Sequence, residues 1–574
     1  MSLVVKRYNN KPFLYASLIR YKCNKRENAT NGDYIKSIIP DIKVPQAHFV
    51  EFVMKDFGKW PNKIATECAV TQKKYTFEEI RQNAINLGKS LRKVLRLKKG
   101  DVVGIFLPNN PDYPICVFGI ILSALTVTTI NPSYTVDELE RHLKDAGVKV
   151  LFTNCSHWNI AQQATNRLKE RIPVVVVRTK VDELLPDGAI NYDDLLHMKV
   201  DLPDVVPIED EDVIFLPYSS GTTGLPKGVM LTNRNLVANL AQHLTPNVQY
   251  AIEANKDHQD VLPLILPMYH IYGFTVSTMS LLQIGCKLVT IPKFSPDTFI
   301  EIMARHKPTI LHLVPPLVMF LNSHAGVQQK YLERLRVTLC GAAPLGASDE
   351  DKFRATVGRP TQIIQAYGMT ETSPLAFIIP QTHEGKHFGT FGHPVANTLV
   401  KVVNPNDSAL KHLGSNQPGE ILIKGPQVMK GYFKKPSETK SAFADGWYRT
   451  GDIAKYDENY MFYIIDRIKE LIKVKGFQVA PAELEEVIRC FPGVLEAAVI
   501  GVPHTYLGES PRAYIVEKPG EKVNVQKLIG FVQSKVAKHK NLVGGVAIID
   551  SIPKNPSGKI LRKQLRSLYD ECSI

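Results

Sequence analysis

The chain has 574 residues, 44% hydrophobic and 22% charged, which excludes a disordered or fibrous protein and is more than one core accommodates, so two or more domains are expected. The formal charge of +14 comes without any nucleic-acid-binding motif with interleaved aromatics, so it reads as the solvated surface of an enzyme that handles polyanions, with no nucleic-acid partner. The eight cysteines include no Cys-x-x-Cys pair, which excludes a zinc ribbon and a disulfide framework and fits a reducing compartment.

Residues 1–33 form a basic leader. Lys6, Arg7, Lys11, Arg20, Lys22, Lys25 and Arg26 precede the first acid, Glu27, and Tyr8, Phe13, Leu14, Leu18 and Ile19 lie among them. This is the character of a mitochondrial transit peptide, or of a plain basic leader. The terminal Cys572-Ser573-Ile574 matches the Ser-Lys-Leu peroxisomal address poorly, so the expected compartment is mitochondrial or cytoplasmic rather than peroxisomal.

From Gly100 the chain alternates. Residues 102–107 are a short apolar run. The longest apolar stretch, 115–130, falls short of the ~20 residues of a membrane span and contains Ser123, Thr126, Thr128 and Thr129. It reads as a buried helix over 114–125 and a strand over 126–130. Thr135 and Glu138 have capping-box spacing and predict a helix start. Strands over 148–153 and 173–177 bracket a helix over 161–171, and apolar runs at 261–266, 309–314 and 337–340 continue the pattern. Such alternation predicts parallel strands covered by helices. After Pro394 the strands shorten (398–403, 420–424). A second shift near Asp466 opens a tail with strands over 471–474, 494–500 and 545–550 and helices over 481–490 and 525–537, enough for a small α+β domain of ~100 residues. The expected fold is α/β: a large multi-subdomain N-terminal domain over 34–465 with helix-covered sheets, and a small mobile α+β lid over 466–574.

Residues 218–228 (Tyr-Ser-Ser-Gly-Thr-Thr-Gly-Leu-Pro-Lys-Gly) follow the apolar run 213–216. Small residues let backbone N–H groups approach an anion, Ser and Thr hydroxyls add donors, and a lysine adds full positive charge. Pro226 and Gly228 flank Lys227 where a Walker A loop has Gly and Ser or Thr, so this is a different phosphate loop. The plain alternative is a flexible turn.

This string resembles the phosphate loop of the adenylate-forming superfamily, which comprises acyl-CoA synthetases, peptide-synthetase adenylation domains and beetle luciferases. Further blocks follow in that family's order: 266–273 (Leu-Pro-Met-Tyr-His-Ile-Tyr-Gly), 341–346 (Gly-Ala-Ala-Pro-Leu-Gly), 365–371 (Gln-Ala-Tyr-Gly-Met-Thr-Glu), 448–452 (Tyr-Arg-Thr-Gly-Asp), 466–476 and 556–560 (Pro-Ser-Gly-Lys-Ile). The texture is most similar to 4-coumarate–CoA ligase-like and luciferase-like acyl-CoA ligases, and the likeness runs from Tyr34 to the C-terminus.

The resemblance implies an ATP- and Mg²⁺-dependent enzyme that makes an acyl-adenylate and passes the acyl group to coenzyme A. It implies nucleotide contacts from Ser219, Ser220, Gly221, Thr222, Thr223 and Lys227, from Gly341, Ala342 and Ala343, from Gln365, Ala366, Tyr367 and Gly368, and from Asp452, Arg467, Lys469 and Lys473, with Gln478 nearby. Thr370 would meet the α-phosphate, Glu371 would hold Mg²⁺, His270 would gate the carboxylate, and Lys559 would be the principal catalytic residue. Asp466 would be the hinge, with Lys293, Lys475 and Gly476 toward coenzyme A. Tyr272, Val276, Leu339, Ala366, Pro374, Leu375 and Ala376 would line an acyl pocket. Ala366 stands where coumarate ligases and luciferases carry glycine. The added methyl narrows the pocket and favours another apolar acid, such as a fatty acid, over coumarate.

Two alternatives compete. A luciferase-type monooxygenase shares the adenylation step and then oxidises its adenylate with O₂. A zinc metalloprotease is suggested by His383-Glu384-Gly385-Lys386-His387 with His393, but that motif needs a helix, and the glycines here predict a loop.

Overall fold

The β-branched runs of the first half become parallel strands. In the computed structural model, which describes residues 33–572 apart from 181, 220–225, 382–387, 475–476 and 556–557, the strands Val102–Ile105, Thr126–Thr129, Val148–Asn154, Val174–Val177 and Val213–Phe215 lie parallel in one nine-stranded sheet. Both faces are covered, so these strands are almost wholly apolar or threonine-lined rather than alternating. The helix Tyr113–Leu122 on one face is buried at every position, as the apolar stretch predicts. The basic leader, apart from Asp33, lies outside the described residues.

Local signals hold at the helix starts. Glu138 N–H donates to Thr135 Oγ1 at 3.3 Å and Thr135 N–H donates to Glu138 Oε2 at 2.8 Å, the expected capping box. The helix expected over 161–171 spans Trp158–Asn166 instead: Arg167 closes it by donating its N–H to Ala164 and turns its guanidinium to Asp137 at 2.6 Å.

Three further sheets complete the large N-terminal domain. Val261–Leu264, Lys287–Thr290, Ile64–Cys68 and Lys74–Thr76 form one. A second runs Ile310–Leu313, Val337–Cys340, Gln362–Gly368, Leu375–Ile378, His393–Pro394, parallel across the first three strands and antiparallel beyond. The change of texture after Pro394 is a six-stranded antiparallel sheet containing Leu399–Val403, Gly419–Lys424, Trp447–Tyr456 and Phe462–Arg467. The largest apolar core lies where the first sheets meet; Phe215 and Phe274 stack within it with centroids 4.0 Å apart.

The smaller C-terminal domain has its own five-stranded sheet and its own apolar clusters around Leu484, Val499, Ile515, Leu528 and Leu565. Its long hairpin Val494–His504 and Gly508–Glu517 and its final helix Arg562–Cys572 extend beyond the elements expected there. Among the described residues no helix is long and apolar enough to cross a membrane.

Candidate active site

The glycine-rich segment lies in sequence between the edge strand Tyr218–Ser219 of the nine-stranded sheet and its neighbour Lys227–Thr232. Tyr218–Ser219 pairs with Lys227–Thr232, bringing Ser219 opposite Lys227; Ser220, Gly221, Thr222 and Thr223 between them lie outside the described residues. The base is anchored by Tyr218, whose hydroxyl donates to Asp145 at 2.6 Å and whose ring lies 4.0 Å from that of buried His142. Lys227 is half-buried with its ammonium 5.1 Å from the ring centre of Tyr432, a cation–π contact.

Tyr432 links that lysine to the next block. Its hydroxyl donates to Glu371 Oε1 at 3.0 Å, and Glu371 is buried in the short turn Thr370–Thr372 together with Thr370. Burial and the Glu371 carboxylate both raise the Tyr432 phenol, keeping it a donor. Glu371 lies within electrostatic range of Arg467. Gly368, two residues before Thr370, is exposed, and a Cβ there would lie 2.0 Å from the Pro374 carbonyl, so glycine is required.

The expected nucleotide wall has an open and a supporting layer. Ala342 and Ala343 are exposed, with Gly341 buried behind them. Gln365 faces away from the open layer: it is buried, and its side-chain amide donates to Leu345 O at 3.2 Å and accepts from Leu345 N–H at 3.1 Å, bracing the 341–345 loop. Half-buried Tyr367 leans on Phe391, centroids 4.8 Å apart, and donates its hydroxyl to Asp452 Oδ2 at 2.7 Å. Asp452 Oδ1 pairs with Arg467 Nε at 3.1 Å across adjacent antiparallel strands.

Lys559 comes to the same place from the far end of the chain. Its turn is closed by Lys559 N–H donating to Asn555 Oδ1 at 2.8 Å, with Gly558 at φ +81°. A Cβ on Gly558 would meet Val314 Cγ2 of the large domain at 3.1 Å, so only glycine combines that backbone with so close a docking. The ammonium lies 4.0 Å from Glu470 Oε1 and within electrostatic range of Asp452 and Arg467. Burial first, then the Arg467 guanidinium, lowers it to about 8. Arg562 holds Glu470 and Glu485 behind it. Asp466, the expected hinge, closes the strand Phe462–Arg467, and its carboxylate accepts from Arg467 N–H at 2.7 Å and Ala482 N–H at 3.2 Å, joining that strand to the first helix of the C-terminal domain. Burial raises it to about 6.

On the other side of the wall, a Cβ on Gly341 would face the Tyr272 ring at 3.4 Å and the Ala366 carbonyl at 3.5 Å. Tyr272 donates its hydroxyl to Leu339 O at 3.1 Å. Val276, Leu339, Pro374, Leu375 and Ala376 are buried, while Tyr272 and Ala366 are half-buried. His270 Nδ1 accepts from Tyr272 N–H at 3.3 Å, and burial lowers its ring to about 4, so it is neutral at pH 7. Tyr272–Met279 winds as a π-helix, which places this segment irregularly beside the site. Lys293, Lys469 and Lys473 are exposed; Lys475 and Gly476 lie outside the described residues. So does the His383–His387 pattern; His393 is on a strand paired with Ile378 rather than on a helix.

Residues 54–433 match the model of the AMP-binding enzyme family, and residues 483–559 match the AMP-binding enzyme C-terminal domain. The chain belongs to the AMP-binding enzyme family. Among its relatives is 4-coumarate–CoA ligase 3 of Oryza sativa subsp. japonica, 36% identical over 93% of this chain and 94% of that one. Another is 4-coumarate–CoA ligase 1 of Arabidopsis thaliana, 33% identical over 95% and 97%. ATP-bound MatB from Rhodopseudomonas palustris is 28% identical, with a TM-score of 0.80 over 91% of this chain and 99% of that one; against apo MatB the score is 0.71. The fold is that of the adenylate-forming enzymes. The chain is an AMP-forming acid–thiol ligase, with ATP and coenzyme A as substrates and a small-molecule acid as the third.

The residues that position these groups had weak sequence signals. Tyr432 stands in a plain Gly-Tyr pair, and Glu470 in a block whose lysines draw the eye.

Proposed function

We propose that the enzyme activates an apolar carboxylic acid, a fatty acid in preference to coumarate, as its acyl-adenylate and transfers the acyl group to coenzyme A. The acid's carboxylate attacks the α-phosphorus of ATP, pyrophosphate leaves, and the thiol then displaces AMP from the acyl carbon. The observation that carries this reading is the convergence of Lys559 on the Asp452–Arg467 pair, with the lid turn seated on Val314.

Two anions that repel each other must meet in line, so catalysis rests on placed positive charge and on orientation. Lys559 supplies a charge that strengthens as negative charge builds on the α-phosphate and carboxylate. Lys227, with Ser219 opposite it, takes the β- and γ-phosphates. Thr370 orients the α-phosphate, and Tyr367, with Ala342 and Ala343, sandwiches the adenine. Asp452 takes the ribose hydroxyls, held in place by Arg467. Glu371 fits a Mg²⁺ ligand and would hold the ion, because a buried carboxylate with one oxygen steadied by Tyr432 leaves the other free to ligate. The ion would neutralise phosphate charge there. His270, uncharged, orients the carboxylate without trapping it. Rotation at Asp466 then withdraws Lys559 and brings Lys475 and Gly476 toward the thiol, with Lys293, Lys469 and Lys473 at the rim.

The acyl side favours apolar acids because Val276, Leu339 and Leu375 are aliphatic and buried. A panel of aliphatic and aryl acids, read by pyrophosphate release and thioester formation, tests the reading. Fatty acids should turn over faster than coumarate. Failure with every apolar acid would overturn it, and light from luciferin would support the monooxygenase instead.

A further inference from the structure

Glu470 sits just past the hinge and has no part in the steps described above. It lies in the turn between the strands Phe462–Arg467 and Ile472–Val474, its N–H donating to the Arg467 carbonyl at 2.9 Å. Its side chain is 16% exposed, so water screens its charge only in part. The carboxylate faces a different cation with each oxygen. Oε1 lies 4.0 Å from the Lys559 ammonium, and Oε2 lies 3.5 Å from Arg562 Nη1.

The two cations differ in freedom. Arg562 opens the helix Arg562–Cys572 and is fixed from behind: Nη2 pairs with Glu485 Oε1 at 2.6 Å, and Nε donates to Val499 O at 3.2 Å. Glu485 is itself buried and accepts the Val499 N–H at 2.9 Å. A planar guanidinium held this way orients the carboxylate in front of it. Lys559 carries a point charge on a flexible stem. At 4.0 Å its ammonium is attracted to Glu470 without the hydrogen bond of a close ion pair, which brings N and O to about 2.7–2.9 Å.

Glu470, Glu485, Lys559 and Arg562 all follow Asp466 in the chain, whereas Asp452 precedes it in the strand Trp447–Tyr456. In the proposed rotation at Asp466 the lid groups travel together, so Lys559 leaves Asp452 behind and keeps Glu470.

We propose that Glu470 is a positioning residue for Lys559: it draws the ammonium to one place in the lid and leaves its donors free for the α-phosphate. Arg562 keeps the carboxylate from closing on the lysine. This rests on the reading in which Lys559 acts in adenylation. The negative charge of Glu470 also favours the protonated amine, as does Asp452, against burial, Arg467 and Arg562. Glu470 lies within electrostatic range of Asp466 and Arg467 as well.

The test follows pyrophosphate release with the fastest acid of the aliphatic and aryl panel, beside thioester formation from supplied acyl-adenylate. Glu470→Gln keeps the shape and an oxygen for Arg562 but removes the charge. At about pH 6, where Lys559 is largely protonated in either enzyme, kcat for adenylation should fall about three- to tenfold through lost positioning, with KM for ATP changed less than about threefold. The loss of activity with rising pH should begin about one unit lower, because an opposite charge within ~4–6 Å has gone. Glu470→Asp keeps the charge but withdraws it by one methylene, so its pH profile should stay near the native one while kcat still falls. Thioester formation should be unchanged in both variants. Native kcat for adenylation in a folded Glu470→Gln enzyme overturns the proposal, and a shifted pH profile with native kcat assigns Glu470 to the charge of Lys559 alone. Equal loss in both half-reactions overturns it too, leaving Glu470 merely structural. If Glu470→Gln does not fold, Glu470→Asp decides, and native kcat there overturns it. Native adenylation by Lys559→Ala, or turnover of no acid in the panel, overturns the underlying reading and this proposal with it. A crippled Lys559→Ala beside an unaffected Glu470→Gln overturns this proposal alone.

Discussion

On one side of Tyr272, charged groups are already paired before any substrate arrives: Lys227 and Glu371 each with Tyr432, Asp452 with Tyr367 and Arg467, Lys559 with Glu470. On the other side Val276, Leu339 and Leu375 are buried, as are the imidazoles of His270 and His312, which burial keeps neutral. The contrast follows from what each side must hold. A triphosphate carries charge that water solvates well, so a site that strips the water must offer replacements already in position. An apolar acyl chain is held by removal of its surface from water, and a charge there would cost more than it returned. In the proposed reading one tyrosine ring separates the two, and the reacting carboxylate belongs at that boundary.

The hardest break in the comparison is Lys559→Ala. Acyl-adenylate formation should fall by roughly 10²–10³ or more, the scale seen when one placed electrostatic group is removed. Thioester formation from supplied acyl-adenylate should be largely preserved, because the lid then presents a different face. Single-turnover assays of the two half-reactions separate the outcomes, and equal loss in both would remove Lys559 from its role. Tyr432→Phe is the next step down. It deletes one hydrogen bond to a charged carboxylate, about 1.5–3 kcal/mol, so adenylation should weaken about 10- to 150-fold with a higher Mg²⁺ requirement. A change in thermal stability alone, with the Mg²⁺ dependence unmoved, would make Tyr432 only structural.

A pH profile sharpens the contrast without a mutation. Lys559 must be protonated to act, and burial together with Arg467 has lowered it to about 8. Adenylation kcat/KM, which reports the free enzyme, should therefore be full below that value and fall as pH rises through it, about tenfold by one unit above. The charged neighbours are Arg467, Glu470, Asp452 and Arg562. Removing the positive Arg467 with Arg467→Gln should move the fall to higher pH. A flat profile to pH 10 would contradict the assignment.

The groups that the structure gathers around Glu371, Asp452 and Lys559 could be singled out in the sequence because the expected chemistry demands residue types: small residues where a ring or phosphate would approach backbone, an acid for a cation, a lysine after a glycine. The buried helix Tyr113–Leu122 and the Thr135 capping box were legible for local reasons. What the chain order hid were partners supplied from elsewhere. Tyr432 meets Glu371 across 61 positions and Tyr250 meets His312 across 62, separations at which periodicity and motif spacing carry no signal. Gln365 matched a ligand-binding block, yet its amide is spent on Leu345. The π-helix Tyr272–Met279 was equally hidden, because its apolar residues fit any buried helix.

The smallest expected effect lies at Ala366, where the two sides touch. Its carbonyl backs the Gly341 wall and the residue is half-buried next to Tyr272, so its methyl lies at the boundary rather than deep in the apolar lining. Ala366→Gly removes one methyl, and one methylene-sized change in a hydrophobic pocket shifts selectivity by ~1–3 kcal/mol at most. Glycine also weakens the strand Gln362–Gly368 slightly. The variant should gain several-fold to about tenfold in kcat/KM for flat aryl acids relative to slim aliphatic ones, with KM for ATP nearly unchanged. A large rise in KM for ATP with no change in acid preference would place the methyl on the nucleotide side of the boundary, and the division at Tyr272 would have to be redrawn.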